Sequence, residues 1–510
     1  MQRIQLTAAM AAASVLYLVH SLLRYATFSA KGFDLGIFDQ AVRQYALFKA
    51  PIVPIKGEDF HLLGDHFHPV LVVLAPLYWI WDDPRMLNIA LILLLASAAL
   101  PTYLVARGWF GHRTGMVAVG ALLLGWPFQA IVNWDFHEIA VGVPLIAWII
   151  WATERGRIRL TVGLSAALLL VREDMGVTLV AIALVLLLRR RWTAAALTAA
   201  LGVAGYWFAT DVVIPHFSPS GDFGYWEFTA LGASAGAAVV FLLTQPWHAA
   251  TILVDHPLKI ALWLLHFVPL WLLPLASPYA ILGAPILLSR LFNDRLNVWS
   301  PVYQYDAILA PIFLLAALDT VRRIQAVRAR RARRTRSPAR QASEHAASST
   351  PAATTAATTA RNRRWGTAVP ATALAVSVVG TLFFPQVFPL QRTVTASWSF
   401  DERVAAHQRA VEAVPDGVCV EAADTAAPHL VDRTRVGLNG TTDASRLSWL
   451  IIDDTVSELG GNDPLTPEEA FDRADRLGFE PVISDDAGLW VLHREVDDAV
   501  DASCAEYLRR

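Results

Sequence analysis

Four short stretches of this 510-residue chain gather side chains able to carry protons, charge or a metal. They are Asp34 and Asp39 in KGFDLGIFDQ, Asp65, His66 and His68 in GDHFHPV, Asp135, His137 and Glu138 in NWDFHEIA, and Arg172, Glu173 and Asp174 in VREDMG. Each borders an apolar run, with no long polar loop to dissolve into. A charge placed in lipid costs at least ~2.5 kcal/mol. Such clusters therefore either line an aqueous cavity or are ordinary solvated residues at helix ends, where acids suit the helix dipole. Asp34 has the chemistry of a general base toward an incoming hydroxyl, with Asp39 the alternative. Asp65, His66, His68, His137 and Glu138 are donor types for a divalent cation. Oxygen-rich surroundings favour Mg²⁺ or Mn²⁺, and two or three histidines admit Zn²⁺. His66 and His68, two apart, suit an extended segment better than one face of a helix. Arg172 is a partner for a phosphate group.

What must position these residues is a membrane bundle. The chain is 55% hydrophobic and 17% charged, and its mean hydropathy is +0.42. The apolar residues are clustered, and runs such as 86–105, 116–132 and 177–188 carry no charge. A span needs roughly 20 mostly apolar residues. The pattern predicts a mainly α, polytopic transmembrane bundle over 1–321, with about eleven spans plus short re-entrant segments. The stretch 69–82, interrupted by Pro69, Pro76 and Pro84, is one of those segments. Residues 4–28 run on too far for a cleaved signal peptide and read as a retained first helix. Basic loops at 107–113, 154–159 and 189–191 alternate with acidic ones, which by the positive-inside bias puts the four clusters on the outer face.

Residues 322–364 hold twelve Arg against one acid, whereas 401–510 hold 24 acids against ten Arg. The basic stretch, 322–365, reads as a cytoplasmic linker, with low-complexity, disordered sequence at 335–360. It serves as a topology signal and is also able to touch anionic lipid heads. Nothing points to nucleic acid. A last span at 366–390 leads to a small acidic α/β domain at 391–510. In that domain VAAHQRAVEAV is helical, and GVCVEAA and SWLIIDD are buried strands. Thr466 and Glu469 make a capping box, and EPVISDDAGLWVLHR forms a hairpin. Both cysteines, Cys419 and Cys504, lie there. In an extracytoplasmic tail they would bridge, and two free thiols are the alternative.

The succession FDLGIFDQ, HLLGDHFHPVLVVLAPLYWIW, DFHEIAVGVPL and VREDMG resembles the DUF2079 family of predicted bacterial integral membrane proteins over roughly residues 10–320. DTAAPHLVDRTRV and GLWVLHR resemble the family's ending more weakly. The family is grouped by similarity with GT-C glycosyltransferases, multi-span enzymes that use polyprenyl-phosphate sugars at the outer face. The resemblance implies a GT-C-like bundle in the bacterial plasma membrane, with the N-terminus cytoplasmic and the C-terminal domain outside. It also implies a catalytic acid in the first outer loop, a position that Asp34 occupies. Adjacent acids are common in that superfamily, whereas Asp34 and Asp39 are five apart, so which of them acts stays open. YQYDAILAP resembles a late family segment, and Tyr303 and Tyr305 either stack on a sugar or anchor at the interface. The reading is transfer of a sugar from a polyprenyl-phosphate donor to an acceptor. The alternatives are a transporter or flippase-like carrier, favoured by charges at span centres, and a non-catalytic membrane scaffold.

Overall fold

The computed structural model describes residues 1–334, 352–395, 398–456 and 463–509. Most of the low-complexity linker (335–351) therefore lies outside the described residues. Residues 352–360, expected to be disordered, open the helix Ala352–Phe383 instead. Their alanines are strong helix formers.

Among the described residues five helices are long and apolar enough to cross a membrane: Gln2–Ala26, Arg85–Phe110, His112–Asn133, Trp192–Phe217 and Arg364–Phe383. The bent pair Pro246–Ile252 and Pro257–Phe267 would make a sixth. Other expected spans are apolar but short, at 16 residues for Ile139–Glu154, 11 for Ile158–Leu168 and 14 for Met175–Leu188. The re-entrant reading of 69–82 corresponds to a 3₁₀ stretch, Pro69–Trp79. Pro76 has no N–H to extend an α-helix there.

At one end of the bundle the Glu154 carboxylate gathers several elements. It accepts from Tyr279 Oη at 2.6 Å, Arg322 Nη1 at 2.8 Å and Trp109 Nε1 at 3.2 Å, and it pairs with Arg189. The basic loops lie at this end. At the other end sits the C-terminal domain, hereafter the tail side.

That domain is a five-stranded sheet of β1 (Cys419–Ala422), β2 (Arg435–Gly437), β3 (Trp449–Asp453), β4 (Glu480–Ser484) and β5 (Leu489–His493). The order is β2-β1-β3-β5-β4, parallel among the first three and antiparallel where β5 joins β3 and β4. Both halves of the Thr466–Glu469 capping box form. A disulfide joins Cys419 in β1 to Cys504 in the last helix, with Cα atoms 5.3 Å apart.

The tail domain is seated on the first loop of the bundle, and one apolar core runs through both. The short helix Ile37–Ala46 looks half polar in sequence but is buried almost all round. Gln40 donates to the Val436 carbonyl at 2.7 Å and Gln44 to the Tyr507 carbonyl at 3.1 Å. Buried amides need such partners, and here the tail domain provides them.

Candidate functional site

The first helix ends at Ala26, and Phe28 turns the chain in a left-handed conformation (φ 51°). The chain then winds through a π-turn, Gly32–Gly36, that presents Asp34. A Cβ on Gly32 would come within 2.7 Å of Ala427 Cβ, so only glycine lets this turn pack against the tail domain. Asp34 Oδ1 accepts from His137 Nε2 at 3.1 Å. The two side chains are 14% and 7% exposed, enough to leave Asp34 reachable. Its second oxygen has no hydrogen-bond partner among the described residues. Burial disfavours the imidazolium of His137, but the hydrogen bond and charge of Asp34 outweigh it and raise its pKa.

Behind His137 lies Asp135, itself in a left-handed conformation (φ 72°), which Asp tolerates better than most residues. It is buried and pairs with Arg24 of the first helix at 3.1 Å, and it accepts from Asn88 Nδ2 at 3.2 Å. Burial pushes its carboxyl upward despite Arg24. Asp135 thus holds the loop that carries His137.

A second pair stands on the other side of Phe38, whose ring contacts both His137 (5.3 Å) and His68 (6.0 Å). His66 Nδ1 is 2.9 Å from Glu173 Oε1, and Glu173 Oε2 accepts from the Phe67 amide at 3.0 Å. Burial opposes the charge on His66, yet Glu173 and Asp65 outweigh burial and lift it to about 9. Glu173 shifts downward, because His66 and Arg172 overcome its own burial. His66 stacks on Tyr225 with ring centres 4.2 Å apart, and the Tyr225 hydroxyl donates to Asp65, which also pairs with Lys56 at 3.2 Å. His68 is buried, and its Nδ1 has no partner among the described residues. Tyr303 and Tyr305 border the same region. Burial first, and then the charge of Asp34, push the Tyr303 phenol up. Tyr305 is raised by burial and feels both Arg172 and Asp34.

Three sets of candidate residues are held in other contacts. Asp39 is the first. It is fully buried, held by Arg43 Nε at 3.1 Å and the Tyr78 hydroxyl at 2.6 Å. Arg172 is already engaged: Asp174 takes Nε at 2.8 Å and Nη2 at 2.6 Å, while Glu138 takes Nη1 at 3.4 Å. The candidate metal ligands Asp65, His66, His68, His137 and Glu138 do not converge. Among the described residues no group of three His, Cys, Asp or Glu is arranged to hold a metal. Asp65 is taken by Tyr225 and Lys56, His66 by Glu173, His137 by Asp34 and Glu138 by Arg172. The donor set as arranged does not fit a metal centre.

The clusters therefore form separate paired groups, two of them packed against Phe38. Two cavities of about 610 and 450 Å³ flank the first helix on the tail side and are lined by other residues. Sequence reasoning missed Arg24, Phe38, Lys56 and Tyr225. It also missed Asp424 of the tail, which accepts from the Phe33 amide at 2.8 Å and pairs with Lys31 at 3.4 Å. Of these only Arg24, a charge inside an apolar run, carries a sequence signal.

A multi-span helical bundle with a small sheet domain over a polar site on one face defines an integral membrane protein with a GT-C-like fold. Its backbone resembles the crystal structure of ArnT from Cupriavidus metallidurans bound to undecaprenyl phosphate, with a TM-score of 0.54 and 13% identity over 95% of this chain and 97% of that one. The apo form of the same protein gives 0.51 and 14%, over 97% and 98%. ArnT is a GT-C glycosyltransferase. No curated protein sequence matches. Residues 24–478 match the family described as predicted membrane protein (DUF2079), and the chain belongs to that family.

Proposed function

We propose that the protein transfers a sugar from a polyprenyl-phosphate donor to a hydroxyl acceptor, with Asp34 as the base and the tail side facing out of the cell. The observation that carries this reading is the Asp34–His137 pair: a reachable carboxylate with one oxygen occupied and one open. His137 would orient Asp34 and keep it anionic. The open oxygen would take the proton of the acceptor hydroxyl as that oxygen bonds to the anomeric carbon. The bond from that carbon to the donor phosphate oxygen breaks with inversion, and polyprenyl phosphate departs.

The fork of Arg172 now holds Asp174, a carboxylate 31% exposed. A donor phosphate presents the same planar pair of acceptor oxygens, so it would displace Asp174 while Glu138 keeps Arg172 in place. Tyr303 and Tyr305 would flank the sugar. Support comes from the GT-C-like fold and from the position of Asp34 in the loop after the first helix. The test is transfer from a panel of polyprenyl-phosphate sugars by reconstituted protein, comparing wild type with Asp34→Asn. Removing a general base typically costs 10²–10⁴-fold.

A further inference from the structure

A cavity of about 450 Å³ lies where the first helix, the segment at Arg392 and the helix Glu402–Ala413 of the tail domain meet. Three arginines from these three elements line it: Arg24, Arg392 and Arg403. Arg24 also holds Asp135 behind His137, whereas Arg392 and Arg403 have no part in the arrangement proposed above. The imidazoles in its wall are already satisfied. His20 bonds Thr393 Oγ1 at 2.8 Å and Asn133 Oδ1 at 3.2 Å, and His407 bonds the Arg403 carbonyl at 2.9 Å and Thr425 Oγ1 at 3.0 Å. The acid in the wall, Asp401, uses its carboxylate to cap the helix, accepting from the Val404 amide at 3.1 Å.

The arginines are used less completely. Arg24 gives Nη2 to Asp135 (3.1 Å) and to the Ser29 carbonyl (2.7 Å), and Arg403 gives Nη1 to the Ala487 carbonyl (2.9 Å) and Nη2 to Asp453 (2.5 Å). Arg24 Nε is nevertheless buried with no partner. Arg392 is exposed and has no hydrogen-bond or ion-pair partner among the described residues. A buried donor without a partner is costly, and several guanidinium groups around one void are arranged as a host for an anion with several oxygens.

We infer that this pocket binds a phosphate group, at a site separate from the Asp34 centre. A neighbouring groove of about 610 Å³ meets it at Phe28, which lines both. The groove is walled by Val19, Leu22, Leu23 and Ala26 of the first helix and by Trp398 and Phe400 of the tail. The first helix is largely unburied by protein, with Val15 61% and Val19 37% exposed. An outer-leaflet lipid would therefore place its chain in the groove and its phosphate among the arginines, and a soluble phosphate would fill only the second part.

The test uses purified full-length protein in lipid-free detergent, titrated calorimetrically with inorganic phosphate, with dihexanoyl phosphatidate and with neutral dihexanoylglycerol. Arg392→Ala, a change at an exposed and unpaired side chain, should weaken binding of the phosphate-bearing probes about tenfold or more, the worth of one charge-assisted hydrogen bond. Arg392→Lys should lose less. Phosphatidate binding much tighter than inorganic phosphate identifies the source as lipid, and equal binding identifies a soluble one. Asp34→Asn should leave binding intact, which separates this site from the transfer reaction. Two results would overturn the proposal: phosphate probes that bind no better than the neutral glyceride, or an affinity lost in Asp34→Asn and kept in Arg392→Ala.

Discussion

At the scale of residues, Asp34 and Asp39 show how burial divides two like side chains. Asp39 is fully buried and is bound by Arg43 and Tyr78. Replacing it with Asn removes the buried anion beside Arg43, which keeps the exposed Asp82, a loss of roughly 3 kcal/mol that a thermal melt would register. Asp34→Asn should barely move the melt and should instead remove transfer. The His66–Glu173 pair makes a separate prediction with pH. His66 has its folded pKa raised from 6.5 to about 9, so its contribution is complete below 6.5 and is lost as pH climbs through about 9. Glu173 is depressed from 4.5, so its contribution is complete above 4.5 and lost as pH falls. The stability difference between wild type and Glu173→Gln should therefore be largest between these limits and shrink toward pH 9. A difference that stays flat from pH 6 to 10 would contradict the pairing. The acids and imidazoles were legible in the sequence because ionisable residues beside apolar runs are costly. Their pairing was not: nothing in GDHFHPV or VREDMG says that His66 finds Glu173 rather than a metal.

At the scale of elements, local pattern was informative wherever one rule dominated. Thr466 and Glu469 make their capping box, and the prolines of 69–82 prevent an α-helix. The pattern failed where a distant partner decides. Ile37–Ala46 carries Asp39, Gln40, Arg43 and Gln44, yet the tail domain covers it. The short strand Arg435–Gly437 also escaped notice, because three residues beside a buried β1 give no periodicity. The disulfide closes a loop with a sequence separation of 85. By the chain-entropy account such a closure contributes about 4 kcal/mol, so Cys419→Ser with Cys504→Ser should lower the melting temperature of the tail domain and make it insensitive to reductant. A melt that ignores both the substitution and the reductant would contradict this.

At the scale of the whole molecule, the bundle supplies the membrane anchorage and the tail domain fixes the loop that presents Asp34. Gly32 N donates to the Asp424 carbonyl at 2.7 Å and Phe33 N to the Asp424 carboxylate at 2.8 Å. Gly32→Ala would force Ala427 away. Hydrogen exchange over residues 31–36 should then rise, with a fall in transfer, even though Asp34 itself is intact. The distribution of charge, basic at one end and acidic at the other, was legible from composition alone. The seating of the tail on the first loop was not, because those contacts join residues nearly four hundred positions apart.

The central claim is that Asp34 accepts a proton during sugar transfer. It is tested most directly by reconstituting the full chain in liposomes with radiolabelled polyprenyl-phosphate sugars and comparing wild type with Asp34→Asn at equal folded protein. The account predicts labelled acceptor with the wild type and at least a hundredfold less with the variant. Transfer of equal rate by both proteins would contradict it.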